Sequence, residues 1–275
     1  MSPSDSTPSS TRSSTRSAAT DLAGLRTVEI RGKQRYHEPA VPTDAQAFAD
    51  VVRSRRSVRV FTDTPIPPEV LDECLDLAML APNSSGLQPW EFYVVRSEPI
   101  RSRLVQVCMG QLAAKTAAEL IVCVARTDRI KEHAAQTLRE WPTPETPGPA
   151  RQYYRAIPFL YGPGPFGLAA PLKRALFALA GLVRPVPRGP YTASELRLWA
   201  AKSTALACEN LVLALRAHGF DSCMMEGFDE VRLRRLLDLD DAALPIMVVG
   251  AGERAPDGVF WPQLRFDRSQ FVHEV

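Results

Sequence analysis

The stretch "TASELRLWAAKSTALACENLVLALRAHGFDSCMM", residues 192–225, carries the clearest sign of how this chain folds. Thr192 to Glu195 is a capping-box pattern, in which a hydroxyl takes the N–H three residues on and the glutamate reaches back. It predicts a long helix running to about His218, then a short strand, "DSCMM". A helix from about Asp229 to Leu237 and the strand "PIMVVGAG" follow. On the N-terminal side, "PPEVLDECLDLAML" places apolar residues at 70, 71, 74, 75 and 78 and acids at 69, 72, 73 and 76. That spacing is an amphipathic helix with Pro67 and Pro68 in its first turn, where a missing N–H does no harm. "WEFYVVR" reads as a strand, residues 98–117 as one helix, and "ELIVCVA" as a buried strand. Order begins near residue 45, where Ala45, Phe48, Val51 and Val52 keep helical spacing. Helices and strands are mixed without repeats, which leaves α/β and α+β both open on pattern alone.

The totals exclude several classes. At 275 residues the chain holds one large domain, or one domain with an insertion. A net charge of +2 provides no global cationic field for nucleic acid. Five cysteines, an odd number without a CxxC pair, argue against a disulfide scaffold or a zinc site and fit a reducing, cytoplasmic setting. The most apolar run, "FGLAAPLKRALFALAGLV", is interrupted by Pro171, Lys173 and Arg174 and does not read as a membrane span. The first twenty residues contain twelve Ser or Thr, as in a transit peptide or a disordered tail; the tail is the expectation, over residues 1–45. Residues 46–275 then form a single domain. Eleven of the 24 prolines fall between 141 and 190, so about 127–192 reads as a Pro-rich insertion of loops with one or two short helices. Its segment "PLKRALFALAGLVRP" is expected to serve as a substrate lid or dimer arm rather than as a membrane contact.

Few motifs carry chemistry. "GPGPFG" (162–167) matches GxGxxG formally, but two spacer prolines remove N–H groups a pyrophosphate needs, so it reads as a turn-rich linker. The four histidines are too scattered for a metal site, and Asp240 and Asp241 read as solvated surface. "RSRRSVRVF" (53–61) is more informative. Arg55 and Arg59, four apart on a helix end, would project to one side with Ser57 between them. Guanidinium forks with a hydroxyl suit one phosphate monoester, although a solvated basic face looks the same locally. "LAPNSSGLQPWEFYVV" (80–95) adds a small polar loop, Asn83 to Gly86, able to bond the edge of a planar heterocycle, with Trp90 read as a core anchor.

In order and spacing, "RRSVRVF", "PIP" and "APNSSGLQPWEFYVV" resemble the FMN-dependent nitroreductase superfamily. "ALACENLVLALRAHGFDSCMMEGFD" resembles its central helix and "EGF" segment, "LPIMVVGAGER" its last core strand, and "WPQLRFDR" its C-terminal basic motif. The resemblance spans about residues 46–126 and 194–270. It implies an α+β subunit with a central, mostly antiparallel sheet flanked by helices, and a homodimer holding FMN at its interface. Arg55, Arg56, Ser57 and Arg59 are then implied to hold the phosphate, ribityl chain and pyrimidine edge, joined by Arg265. Pro82, Asn83 and Ser84 are implied to reach the isoalloxazine from the partner subunit. Glu226 and Gly227 are implied to lie beside the flavin, with Gln111 at the ring edge. The chain departs from the family pattern at Gly86, where many members have Asn, and at Gln263, where some have a second cation.

The reaction implied is hydride transfer from NADH or NADPH through flavin N5 to an electrophilic small molecule such as a nitroaromatic, quinone or enone, with Arg59 stabilising the reduced ring and no protein acid required. Alternatives are a flavoprotein with another reaction, reductive dehalogenation or flavin consumption, and a non-catalytic interaction module that has lost FMN.

Overall fold

A computed structural model describes residues 26–31, 33–143, 145–164 and 167–275; most of the expected N-terminal tail lies outside these. Part of that tail is nevertheless structured. Strands β1 (Thr27–Ile30) and β2 (Lys33–Tyr36) pair as an antiparallel hairpin, where the sequence analysis expects no order. Helices α1 (Ala45–Ser54) and α2 (Pro68–Met79) follow, the latter with its prolines at the N-terminus as the spacing predicts.

The core is a four-stranded sheet of β3 (Trp90–Val94), β4 (Glu119–Arg126), β5 (Asp221–Met225) and β6 (Ala243–Gly252). Its order is β3-β4-β6-β5 and every pair is antiparallel, which settles the class as α+β. Successive side chains of a strand point to opposite faces, so β4 feeds two cores at once. Leu120, Val122 and Val124 pack with Leu104, Ala113 and Leu233, from helices α3 (Glu98–Val107), α4 (Leu112–Thr116) and α9 (Glu230–Leu236). Ile121 and Cys123 pack with Leu71 and Cys74 of α2 and with Leu211 and Leu215 of α8 (Ala193–Ala217). The capping box that opens α8 is present: Thr192 Oγ1 accepts from Glu195 N at 3.2 Å, and Glu195 Oε2 accepts from Thr192 N at 3.0 Å.

Two local expectations are corrected. Residues 98–117 are two helices, because Met109 and Gly110 take φ of 58° and 64°, a left-handed turn that no continuous helix tolerates. The 127–192 segment holds three full helices, α5 (Ile130–Arg139), α6 (Gly148–Leu160) and α7 (Ala169–Ala180), not one or two short ones. Pro149 and Pro171 sit in the first turns of α6 and α7, where they start helices instead of breaking them.

Candidate active site

Helix α1 stops because Arg55 turns to ψ 127°, and the chain then bridges β5 at Ser57 and, at Phe61, Arg254 just past β6. Ser57 bridges Ser222 in parallel, and Val58 N donates to Ser222 O at 3.0 Å. Val58 and Phe61 drop into the core. Arg55 and Arg59 therefore converge through a non-helical segment held by bridges to the sheet, and not along a helix end as their spacing suggests. The convergence itself holds. Arg55, Arg56, Ser57, Arg59 and Arg265 line one cavity of about 270 Å³ with residues 259–264. Gly258 allows this closeness: its C=O accepts from Arg59 N at 2.6 Å, its N–H donates to Ala255 O at 2.8 Å, and a Cβ there would stand 2.5 Å from Val60 O. Arg56 Nη2 donates to Trp261 O at 2.5 Å, tying the C-terminal segment across the pocket. Arg59 Nη1 lies 3.1 Å from Cys223 Sγ; burial raises that thiol's pKa, and the Arg59 charge opposes the rise. Four guanidinium groups and a hydroxyl, with no carboxylate among the described lining residues, fit a phosphate monoester.

A support missing from the sequence reading lies directly behind this clamp. Asp221, the first residue of β5, has a side chain only 2% exposed between two arginines. It accepts from Arg216 Nη1 at 3.0 Å and from Arg254 Nε and Nη2 at 3.0 and 2.6 Å. Arg216 Nε also reaches Ser54 Oγ at 3.1 Å, and Arg254 Nη2 reaches Ser54 O at 3.3 Å. The ion cluster thus pins the residue just before Arg55. The available signal was an acid opening a short, buried strand, since buried charges are paired.

Gln111, Glu226 and Gly227 come together. The α3–α4 break delivers Gln111, whose Nε2 donates to Gly227 O at 2.8 Å. Glu226 and Gly227 are exposed on the turn after β5, and Asp229 N donates to Val107 O at 2.9 Å beneath them. Through Arg59 and Cys223 this turn and the clamp share the β5 edge.

Pro82, Asn83 and Ser84 are elsewhere. Their loop enters β3, at the far edge of the sheet. Asn83 closes the loop itself, accepting from Gln88 N at 2.8 Å and donating to Ala81 O at 3.3 Å. Ser85, Gly86 and Gln88 hold φ of 64°, 61° and 44°, and left-handed backbone at the two non-glycine positions costs roughly 1–2 kcal/mol each. From the clamp segment to β3 is four strand spacings, about 19 Å, and the registers add some six residues along β4, about 20 Å. One chain does not bring this loop to its own clamp. The larger cavity, about 1070 Å³, lies at this edge with Gly86, Leu87, Gln88, Trp141 and Tyr154 in its walls, and shares no residue with the clamp. Trp90 is buried against Ala81 and Ala207, as a core anchor.

The Nitroreductase family model matches residues 52–253, from the helix before the clamp to the end of β6. This chain belongs to the nitroreductase family. Among similar proteins of this family is a "NADH dehydrogenase" of Thermus thermophilus, 26% identical over 204 residues, covering 74% of this chain and 85% of that protein. A "4-nitrobenzoate reductase" of a Nocardioides species is 25% identical over 198 residues, covering 66% and 70%. In fold, the chain resembles a nitroreductase-type protein of Exiguobacterium sibiricum solved in complex with FMN, with a TM-score of 0.62, 22% identity, and coverage of 86% of this chain and 99% of that one. No helix among the described residues of this nitroreductase-family chain is long and apolar enough to cross a membrane.

Proposed function

We propose that the chain is an FMN-dependent NAD(P)H oxidoreductase acting as a homodimer on a small electrophilic acceptor. The observation that carries this is the clamp: Arg55, Arg56, Ser57, Arg59 and Arg265 around one small cavity in a nitroreductase-family fold. When bound, FMN supplies hydride acceptance and donation at its N5. The chain's residues place and polarise it. Arg55, Arg56, Ser57 and Arg265 hold the phosphate and ribityl end, and Arg59, fixed by Cys223, puts a positive charge toward the pyrimidine edge, favouring an anionic reduced ring. Gln111 orients the Gly227 peptide beside the ring, with Glu226 next to it.

Placement supports a second subunit. The Pro82–Ser84 loop is too far from its own clamp to share one flavin with it, so the partner's loop serves that role. The C-terminal segment also leaves Phe260, Trp261, Leu264, Phe266 and Phe271 exposed, an apolar surface suited to a second copy. Nitroaromatics, quinones and enones are the acceptor classes, in keeping with relatives named for nitrobenzoate and with a structural neighbour named as an enone reductase. Five buried free cysteines fit a reducing cytoplasm. Residues from about 46 form a single catalytic domain.

The test is an absorbance spectrum of the purified protein, with chromatography of any released chromophore and NAD(P)H-dependent reduction of the three acceptor classes. FMN near one per subunit with turnover supports the proposal. A protein that stays colourless with added FMN overturns it, and flavin loss under air or halide release would reassign the reaction. Mixing an Arg55→Ala/Arg59→Ala chain with an Asn83→Ala/Ser84→Ala chain tests the dimer. Shared sites restore about a quarter of wild-type sites at random pairing, and single-chain sites restore none.

A further inference from the structure

We propose that Tyr153, Tyr154 and Tyr161, all from the 127–192 insertion, are positioning residues that fix the flavin-facing Pro82–Ser84 loop. The inference rests on the function proposed above. Three phenol hydroxyls converge on two serines of this loop. Ser85 Oγ lies 2.6 Å from Tyr153 OH and 3.1 Å from Tyr161 OH, and Ser84 Oγ lies 3.1 Å from Tyr161 OH. Tyr154 OH donates to the Ser85 carbonyl at 3.0 Å. The target is the first of the loop's left-handed residues, Ser85 at φ 64°. Such backbone persists where its surroundings over-determine it, and here the determinants come from the insertion.

The phenols are themselves anchored. Ile157, on the same helix, is fully buried in a cluster with Leu87, Ala125 and Trp199, and Tyr161 packs edge-on to Trp199 of α8 with ring centroids 5.2 Å apart. Tyr153 and Tyr154 meet edge to face at 5.6 Å. Tyr154 and Tyr161 therefore hold their places by packing, the more exposed Tyr153 rests against Tyr154, and the hydroxyls are what reach the loop. The insertion, absent as a motif from the clamp side, then acts on the reaction through the loop. Removing the hydroxyls should loosen the loop and leave the phosphate clamp at the opposite edge untouched.

The experiment compares the wild type with Tyr153→Phe/Tyr161→Phe and with Tyr154→Phe, which keep the rings. Hydrogen–deuterium exchange is followed in the FMN-free protein, alongside FMN affinity, the visible circular dichroism of bound flavin and the rate of flavin reduction by NAD(P)H. The expected result is exchange about tenfold faster in residues 82–88 alone, an altered flavin dichroism, and reduction slowed about tenfold, with FMN affinity within about twofold of wild type. Unchanged exchange in 82–88, or faster exchange spread equally through β4, overturns the inference. So do unchanged dichroism and reduction in variants whose loop has loosened. If the wild type takes up no FMN, the function proposed above fails and the flavin-facing role fails with it. If the wild type is flavin-loaded and active while the variants match it, this inference fails alone.

Discussion

Replacing Asp221 by Asn keeps the side chain's shape and removes its charge at the point where the clamp is tied to the sheet. The carboxylate is 2% exposed and accepts three hydrogen bonds from Arg216 and Arg254. A charge-assisted bond contributes about 1.5–3 kcal/mol, and breaking one member of a buried pair costs about 3–5 kcal/mol. The two arginine side chains are 26% and 35% exposed, so water recovers part of the loss. The asparagine carbonyl still accepts one bond. These offsets place the net cost at about 3 kcal/mol. For a domain of this size that lowers Tm by about 6–12 °C, read by circular dichroism on FMN-free protein. Arg216 and Arg254 also hold Ser54, so the residue before Arg55 loosens and FMN affinity should fall about tenfold. A Tm change under about 2 °C would refute the stability argument. A destabilised variant that binds FMN as tightly as wild type would refute the coupling between the ion cluster and the clamp.

Arg265 is exposed and its recorded partner is the carbonyl of Leu264, so Arg265→Ala should leave Tm within about 1 °C and weaken FMN about tenfold by fluorescence titration, with riboflavin binding unaffected. Glu195 has its pKa depressed to about 2, first by the Tyr191 and Thr192 N–H groups and then by Arg174. Its stabilisation is therefore full above the unfolded value of about 4.3 and lost as pH falls through about 2, so the stability gap between wild type and Glu195→Gln should close over that window in urea titrations. Burial pushes Cys74 and Cys108 up to about 11, so alkylation at pH 8 should leave both unmodified in the folded protein and modify them in urea.

Much of the fold was legible because its signals are local. The α8 capping box, the alternation in α2 and the apolar run of β4 each depend on neighbours within four residues. The failures were of two kinds. The α3–α4 break depends on backbone φ at Met109 and Gly110, and a single glycine between helical patterns does not announce a left-handed turn. The insertion was under-read because proline was counted as a breaker, whereas Pro149 and Pro171 lie in first turns. The clamp arginines were legible as a local cluster, but their convergence depends on pairing with Ser222, 165 positions away. Asp221 was hard to see as a support for a similar reason: Arg216 is five residues away, but its second partner, Arg254, meets it only when β5 and β6 pair.

The two edges of the sheet divide the labour of the proposed site. At the β5 edge, the clamp is tied by a sheet bridge, a buried ion cluster and the Gly258 turn. At the β3 edge, the loop proposed to face the partner's ring is held by tyrosines of the 127–192 segment. Changes to the insertion can therefore alter what reaches the ring and how the loop meets it, with little effect on how the phosphate is held. In the proposed homodimer, cofactor binding and selectivity for the acceptor then rest on structurally separate supports.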